Sequence, residues 1–220
     1  MMIFDSLIGL GGSCEVAANV RRRFGIERAG MLDWWISPFA GLVRLIEEGP
    51  SCLFDPADMD LTPDKDAAIS RAFGFVFHHD FPRDSEGLVL ESDAPERLCA
   101  LRNKFHMLWN RMNDACQPGA SVLFLRSRRD MLVSSNTPVE NADSERGHAD
   151  LARLCEAIRC RWPQTRAKVL FLGYDRYVHH SMAAFDTVED MGDIMDWSGS
   201  ATGWDAMFQR QAIVLTNRER

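Results

Sequence analysis

The stretch Ile8-Gly9-Leu10-Gly11-Gly12-Ser13-Cys14 joins a strand-like beginning of the chain to a helical pattern over residues 15–24. Its glycines favour a sharp turn between the two elements. This order places the Cys14 thiol at a helix start, where unpaired N–H groups and the helix dipole stabilise an anion. We therefore predict a lowered pKa for Cys14 and a nucleophilic thiolate. The structural alternative is a small buried residue that packs below the helix.

Strand and helix patterns alternate along the rest of the chain. A helix is predicted after Pro38 and a long helix after the capping sequence Asp93-Ala94-Pro95-Glu96. Apolar strands are predicted over residues 121–126 and 168–173. The alternation predicts an α/β fold, in which residues 1–220 form a single three-layer domain with a mostly parallel sheet.

Several segments carry weaker patterns. Thr62-Pro63 predicts the start of a short helix that ends at Phe73, and residues 74–79 are typical of a strand. Residues 174–189 are predicted to be helical, 191–203 to be a loop and 212–216 to be one more strand. Chemistry in parallel α/β sheets collects at the carboxyl ends of strands, and we expect Cys14 and His79 at such ends.

Composition excludes several classes of protein. The 220 residues are 46% hydrophobic and 26% charged, with a formal net charge of −7, which disfavours nucleic acid as a partner. The short basic stretches 21–23 and 126–129 are predicted to be solvated faces. No apolar stretch approaches the length of a membrane span, so no membrane partner is expected.

The cysteines indicate a reducing compartment. Six cysteines in a chain of this length are too sparse for a disulfide scaffold, and we expect free thiols in a cytoplasmic protein. No Cys-x-x-Cys pair is present, which disfavours a zinc site. The sequence predicts neither a metal nor another cofactor.

Three clusters stand apart from the core-forming patterns: Leu10 to Cys14, Leu32-Asp33-Trp34, and His78-His79-Asp80-Phe81. Together they resemble the bacterial family of unknown-function domains DUF1796, described as papain-like cysteine peptidases. Leu32 stands where the family has Phe, and a second tryptophan, Trp35, follows. The resemblance covers most of residues 5–175, and it implies an α+β papain-like fold as the alternative to the parallel arrangement.

The resemblance implies a thiol site with Cys14 as the nucleophile and His79 as the base. Acyl transfer also needs oxyanion donors, for which the backbone N–H groups of residues 13–15 at the helix start are candidates. Gly11, Gly12 and Ser13 at the turn are candidate oxyanion or binding residues. His78 and Trp34 are further candidate binding residues. On a strand His78 and His79 would point to opposite faces, so at most one can reach Cys14.

Asp33 and Asp80 compete for the role of orienting the histidine. Asp80 follows His79 directly and would face away from it on a regular strand, which favours Asp33 from a separate loop. A contact between Cys14 and His79 requires that strands 1–10 and 74–79 lie side by side or nearly so. The expected activity is that of a hydrolase or acyltransferase acting on an amide or ester of a small molecule or peptide.

Two other enzyme or binding functions remain open. Ser13 or Ser6 after the first strand suggests a serine esterase of SGNH-like type, although no late Asp-x-x-His occurs. Gly9, Gly11 and Gly12 between strand and helix suggest a nucleotide- or phosphate-binding module, although Gly-Lys-Ser/Thr is missing. A non-catalytic interaction domain is a further alternative.

Overall fold

A computed structural model describes residues 2–12, 14–90, 95–127, 142–174, 178–189 and 198–216, with the backbone alone for 142–150. The chain has a mixed fold with parallel and antiparallel sheets. Its elements are, in order, β1 Met2–Phe4, β2 Ser6–Gly9, α1 Cys14–Phe24, β3 Trp35–Ile36, α2 Phe39–Glu48, β4 Met59–Leu61, β5 Ala68–Ser70, β6 Val76–Phe77, α3 Pro95–Ala115, β7 Ser121–Ser127, α4 Ala142–Arg161, β8 Arg166–Leu172, β9 Ala183–Asp186, α5 Ala201–Arg210 and β10 Ile213–Leu215.

The strands β2, β7, β8 and β9 form a parallel sheet in that order, and β1 pairs in parallel with β10. The middle strands β7 and β8 are continuous apolar runs, which is typical of parallel strands buried on both faces. The pairing aligns Ile8 with Phe124 and Leu125 with Leu170. The predicted parallel sheet is therefore present.

Alternate residues of β7 enter two different apolar clusters. Val122 and Phe124 pack in the larger cluster, which also contains the buried faces of α2, α3 and the carboxyl-terminal part of α4. Leu123 and Leu125 pack in a second cluster with residues of α1 and α5. This follows from the two-residue period of a strand, which sends neighbouring side chains to opposite faces.

An antiparallel sheet with the order β3-β6-β5-β4 accompanies the parallel one. Its strands occupy part of the segment for which a short helix over 62–73 was predicted, and that prediction is wrong. Thr62 forms a turn instead, because its Oγ1 accepts the N–H of Ala67 and donates to Asp66. Such local side-chain bonds compete with a helix.

The strand predicted over 74–79 is shorter in the structure, where β6 contains only two residues. It pairs with β3 and β5, so the expectation that it lies beside the first strands of the chain is wrong. His78 and His79 follow the end of β6 in an antiparallel sheet. The histidine pair is therefore not at the carboxyl end of a parallel strand, and the argument from opposite strand faces does not apply to it.

The final third of the chain differs from the sequence prediction at two elements. Within 174–189 the predicted helix is wrong, since β9 lies there and pairs with β8. Helix α5 was missed, although Trp204, Met207 and Phe208 recur at helical spacing and are buried. Ser200 caps it by accepting the N–H of Gly203 at 3.1 Å. The strand predicted over 212–216 is confirmed as β10.

Candidate active site around Cys14

Cys14 is the first residue of α1, and its thiol is half-buried. The turn before it uses left-handed backbone at Gly11, with φ of 69°, and at Gly12, with φ of 101°. A Cβ at Gly11 would collide with Ser37 Oγ, and one at Gly12 would collide with the carbonyl oxygen of Ser127. Both glycines are therefore required by space as well as by conformation. Ser13 lies outside the described residues.

Arg126 holds this turn through hydrogen bonds from its buried guanidinium. Its Nη1 donates to the carbonyl of Leu10 at 3.0 Å and to Ser37 Oγ at 2.8 Å, and its Nη2 donates to the Ser37 carbonyl at 2.7 Å. The side chain is 3% exposed. The prediction of a solvated basic face over 126–129 is thus wrong at Arg126, because the carboxyl end of β7 points this guanidinium into the interior.

Ser37 links the two sides of the turn. Its Oγ accepts the backbone N–H of Gly12 at 3.0 Å in addition to the bond from Arg126. The N–H of Gly12 is therefore engaged within the protein, which contradicts its predicted role as an oxyanion donor. The same bond weakens the phosphate-loop alternative, since that mode of binding uses free N–H groups of the glycine turn.

Burial raises the pKa of the Cys14 thiol above its usual value. The Cys14 backbone N–H lowers that pKa, but by less than burial raises it, and the nearby charge of Asp33 raises it further. The predicted lowering of the Cys14 pKa is therefore wrong. A helix start stabilises an anion only modestly, whereas removal from water disfavours the charged form of any thiol.

Asp33 lies close to Cys14 on the loop between α1 and β3. Its Oδ2 accepts the N–H of Gly30 at 2.7 Å and lies 3.6 Å from Nε of Arg21. Burial raises the pKa of Asp33, while the Gly30 N–H and the Arg21 charge oppose that shift. The carboxyl group thus joins the loop to α1 beside the thiol.

Trp34 forms an aromatic bridge between α1 and the histidine segment. The Arg21 guanidinium lies over its ring, 5.5 Å from the centroid, and the exposed imidazole of His79 meets it edge-on at 6.3 Å between centroids. A cation–π contact such as that of Arg21 with Trp34 is favourable by about 0.5–1 kcal/mol. Trp34 therefore brings the second motif of the sequence into contact with the third.

His78 is half-buried and faces a different set of groups. Burial lowers the pKa of His78, with the charge of Asp66 opposing and that of Arg83 adding to the shift. The Arg83 guanidinium also donates to the His78 carbonyl at 2.8 Å. The contact with Trp34 thus distinguishes His79 from its neighbour.

Asp80 is 6% exposed, and both of its carboxylate oxygens are bound. Oδ2 accepts Nε1 of Trp35 at 3.0 Å, and Oδ1 accepts Nζ of Lys104 at 3.0 Å. Its carbonyl oxygen accepts two bonds from the Arg97 guanidinium. These contacts fix the histidine segment to β3 and α3, and they account for both oxygens of Asp80 without the histidine.

The structure thus links the three motifs through one loop, since the charge of Asp33 acts on the Cys14 thiol and the Trp34 ring contacts His79. Among the described residues no hydrogen bond joins the Cys14 thiol to His79, so the direct contact expected between them is not observed. Sequence reasoning missed Arg126 and Ser37, whose positions depend on contacts across 89 residues or more. Ser6 of the esterase alternative is the first residue of β2, where it pairs with Val122, and so it lies at the amino end of the strand rather than at its carboxyl end. Within the described ranges, no group of three or more His, Cys, Asp or Glu side chains is placed to hold a metal ion.

No family model, curated protein or solved structure matches this chain. The resemblance to the peptidase-like family therefore rests on the sequence motifs alone. In the part of the chain that the structure describes, none of the helices is both long and apolar enough to span a membrane.

Proposed function

We propose that this protein is a cysteine-dependent hydrolase or acyltransferase in which Cys14 is the nucleophile and His79 the base. The observation that carries the proposal is that one loop interacts with two motifs that are distant from it in sequence. Asp33 is near enough for its charge to act on the Cys14 thiol, and its neighbour Trp34 contacts the His79 ring.

The raised pKa of Cys14 determines how the thiol would act. The resting thiol is neutral, so a base must remove its proton as the nucleophile attacks. Sγ of Cys14 attacks the carbonyl carbon of an amide or ester and forms a C–S bond, while the thiol proton passes to the imidazole of His79. The C–N or C–O bond then breaks, and the leaving group takes that proton.

The thioester on Cys14 is resolved in a second step. Water, or the nucleophile of an acceptor in the acyltransferase case, attacks the thioester carbonyl carbon and loses a proton to the imidazole. The C–S bond breaks and Cys14 recovers its proton. Asp33 and Trp34 are positioning residues in this scheme, because they join α1 to the loop that contacts His79.

The proposal also covers the fold, the family and the cellular location of the protein. The two apolar clusters on opposite faces of β7 support a three-layer arrangement with the parallel sheet in the middle. The antiparallel sheet that is also present supports the α+β papain-like alternative, because its strands run antiparallel. Membership of the DUF1796 family and a cytoplasmic location are proposed from the sequence alone.

The test is acylation of Cys14 by p-nitrophenyl acetate, followed by intact mass and peptide mapping. We expect an acetyl adduct on Cys14 in the unmodified protein and none at that position in Cys14→Ser. His79→Ala should slow the acylation about 100-fold, which is the lower range for loss of a general base. His78→Ala is the matched control and should change the rate less than twofold.

Two results would contradict the proposal. One is labelling of the exposed Cys99 and Cys160 in preference to Cys14, because exposed thiols react without a catalytic site. The other is equal acylation rates in His79→Ala and the unmodified protein. Circular dichroism of each variant separates loss of chemistry from loss of fold.

A further inference from the structure

A cavity of about 100 Å³ lies between β2, α1, α3 and residues 26–31. Neither Cys14 nor His79 lines it, so it is separate from the proposed nucleophile and base. Asp33 forms part of the wall between the cavity and the thiol region. The cavity is thus an additional internal space beside the candidate site.

Most of the inner wall is apolar. Side chains of β2, α1 and α3 contribute to it, together with the loop after α1 and β10. The main apolar contributors are Ile8, Val20, Ile26, Leu108, Met112 and Leu215. Apolar walls of this kind accept a hydrocarbon group of matching size.

Two arginines stand at the mouth of the cavity. Arg28 and Arg111 line both the enclosed space and an open depression on the surface of α3, so they mark the boundary between the two. Arg111 Nη1 donates to the carbonyl of Ala29 at 3.2 Å, which holds its guanidinium at that boundary. Arg28 makes no ion pair with any of the described residues.

The acidic groups nearby do not neutralise this mouth. Asp33 is paired with Arg21, and Asp5 accepts bonds from Ser121 and Thr216. Asp114 lies on the outer depression, but it forms no ion pair with Arg28 or Arg111 in the described structure. The cavity therefore combines an apolar interior with excess positive charge at its opening.

We infer that this cavity binds a short-chain carboxylate, with the hydrocarbon chain inside and the carboxylate at Arg28 and Arg111. Arginine is suited to this role because its planar donors match a carboxylate. A cavity of about 150 Å³ holds benzene, which has six carbons, so about 100 Å³ accommodates roughly four. With the carboxylate carbon outside, the best straight-chain ligand is pentanoate.

The test is titration of the full chain with sodium acetate, butyrate, pentanoate and octanoate, followed by NMR chemical shifts at constant ionic strength. Affinity should rise about fourfold per methylene up to pentanoate, as expected for burial of each CH₂. It should stop rising or fall at octanoate, whose chain exceeds the cavity. 1-Pentanol, which has the chain without the charge, should bind at least tenfold more weakly than pentanoate.

Two variants locate the binding. Arg28→Gln should weaken pentanoate binding about tenfold, whereas Arg159→Gln, the same charge change at an exposed residue of α4, should change it less than twofold. Ala115→Leu fills the cavity from α3 and should weaken pentanoate binding without changing that of acetate.

Three outcomes would overturn the inference: no saturable binding of pentanoate, equal binding of pentanol, or equal effects of Arg28→Gln and Arg159→Gln. Because none of these measurements uses Cys14, the outcome is independent of the proposed catalysis. If Ala115→Leu fails to fold, Arg28→Gln still decides the site.

Discussion

Replacing Arg126 by methionine should destabilise this protein more than replacement of any exposed arginine. Methionine fills most of the same space but donates no hydrogen bond. The carbonyls of Leu10 and Ser37 and the Ser37 hydroxyl would each lose a buried donor at 3.0 Å or less. A buried polar group left without its partner costs about 1 kcal/mol or more. The expected loss is therefore about 3–4 kcal/mol of the free energy of unfolding.

Equilibrium urea denaturation measures this loss, read as the change in midpoint at constant slope. For a chain of this length the same loss corresponds to a fall in Tm of roughly 6–16 °C. Arg83→Met is the matched control, because exposed Arg83 also donates to two carbonyls, those of His78 and Gly87. We expect that control to cost less than about 1 kcal/mol, since water replaces the lost bonds.

A double-mutant cycle with Ser37→Ala tests the proposed contact itself. Ser37→Ala removes the acceptor of both Arg126 and the Gly12 N–H. The two substitutions share one network, so their combined cost should fall short of the sum by about 1–2 kcal/mol. Additive costs, or a cost of Arg126→Met no larger than that of Arg83→Met, would refute the reasoning that Arg126 fixes the turn before Cys14.

Three further predictions concern the site. Because burial and the charge of Asp33 raise the pKa of Cys14, its alkylation by iodoacetamide should increase only at higher pH than that of an unperturbed exposed cysteine; Asp33→Asn should move the profile to lower pH, and an unchanged profile would contradict this. Gly12→Ala should cost more than about 2 kcal/mol in urea denaturation, whereas Gly25→Ala, with left-handed backbone but open space, should cost about 1 kcal/mol. Asp80→Ala leaves the buried Trp35 Nε1–H without a partner, whereas water replaces the bond to half-exposed Lys104, so it should cost about 1–3 kcal/mol; thermal unfolding with no shift would show that water also reaches Trp35.

The parts of the fold that the sequence predicted are those with strong local patterns. The apolar runs of β7 and β8 and the stripes of α2 and α3 are each readable within one window of residues. The turn at Gly11 and Gly12 is equally local, because left-handed backbone favours glycine.

The antiparallel sheet was missed because its strands are short and depend on distant partners. β3 and β6 contain two residues each, and Trp35 aligns with Phe77. So short a segment has no period of its own, and pairing and burial determine its structure. Trp34 and Trp35 illustrate the same point, since Trp35 is buried among phenylalanines whereas Trp34 faces Arg21 and His79.

The sequence predicted which residues belong to the candidate site but not the direction of the Cys14 pKa shift. The motifs named Cys14, Asp33, Trp34 and His79, and in the structure Asp33 acts on the Cys14 thiol while Trp34 contacts His79. The sign of the Cys14 pKa shift was wrong because sequence position indicates the helix start but not the depth of burial. Arg126 was predicted to be solvated, since a basic run gives no sign of acceptors that lie 89 and 116 residues away.

The pKa values of Cys14 and Asp33 bear on the chemistry proposed for this site. Burial raises the pKa of both groups, and the charged form of Asp33 disfavours the thiolate. Neutral Asp33 would remove that repulsion, but acid pH, which neutralises a carboxyl, also protonates a thiol. No pH therefore gives both a neutral Asp33 and a resting thiolate. The raised pKa of Cys14 therefore disfavours a pre-formed thiolate, and in the proposed scheme a base such as His79 accepts the thiol proton during the attack.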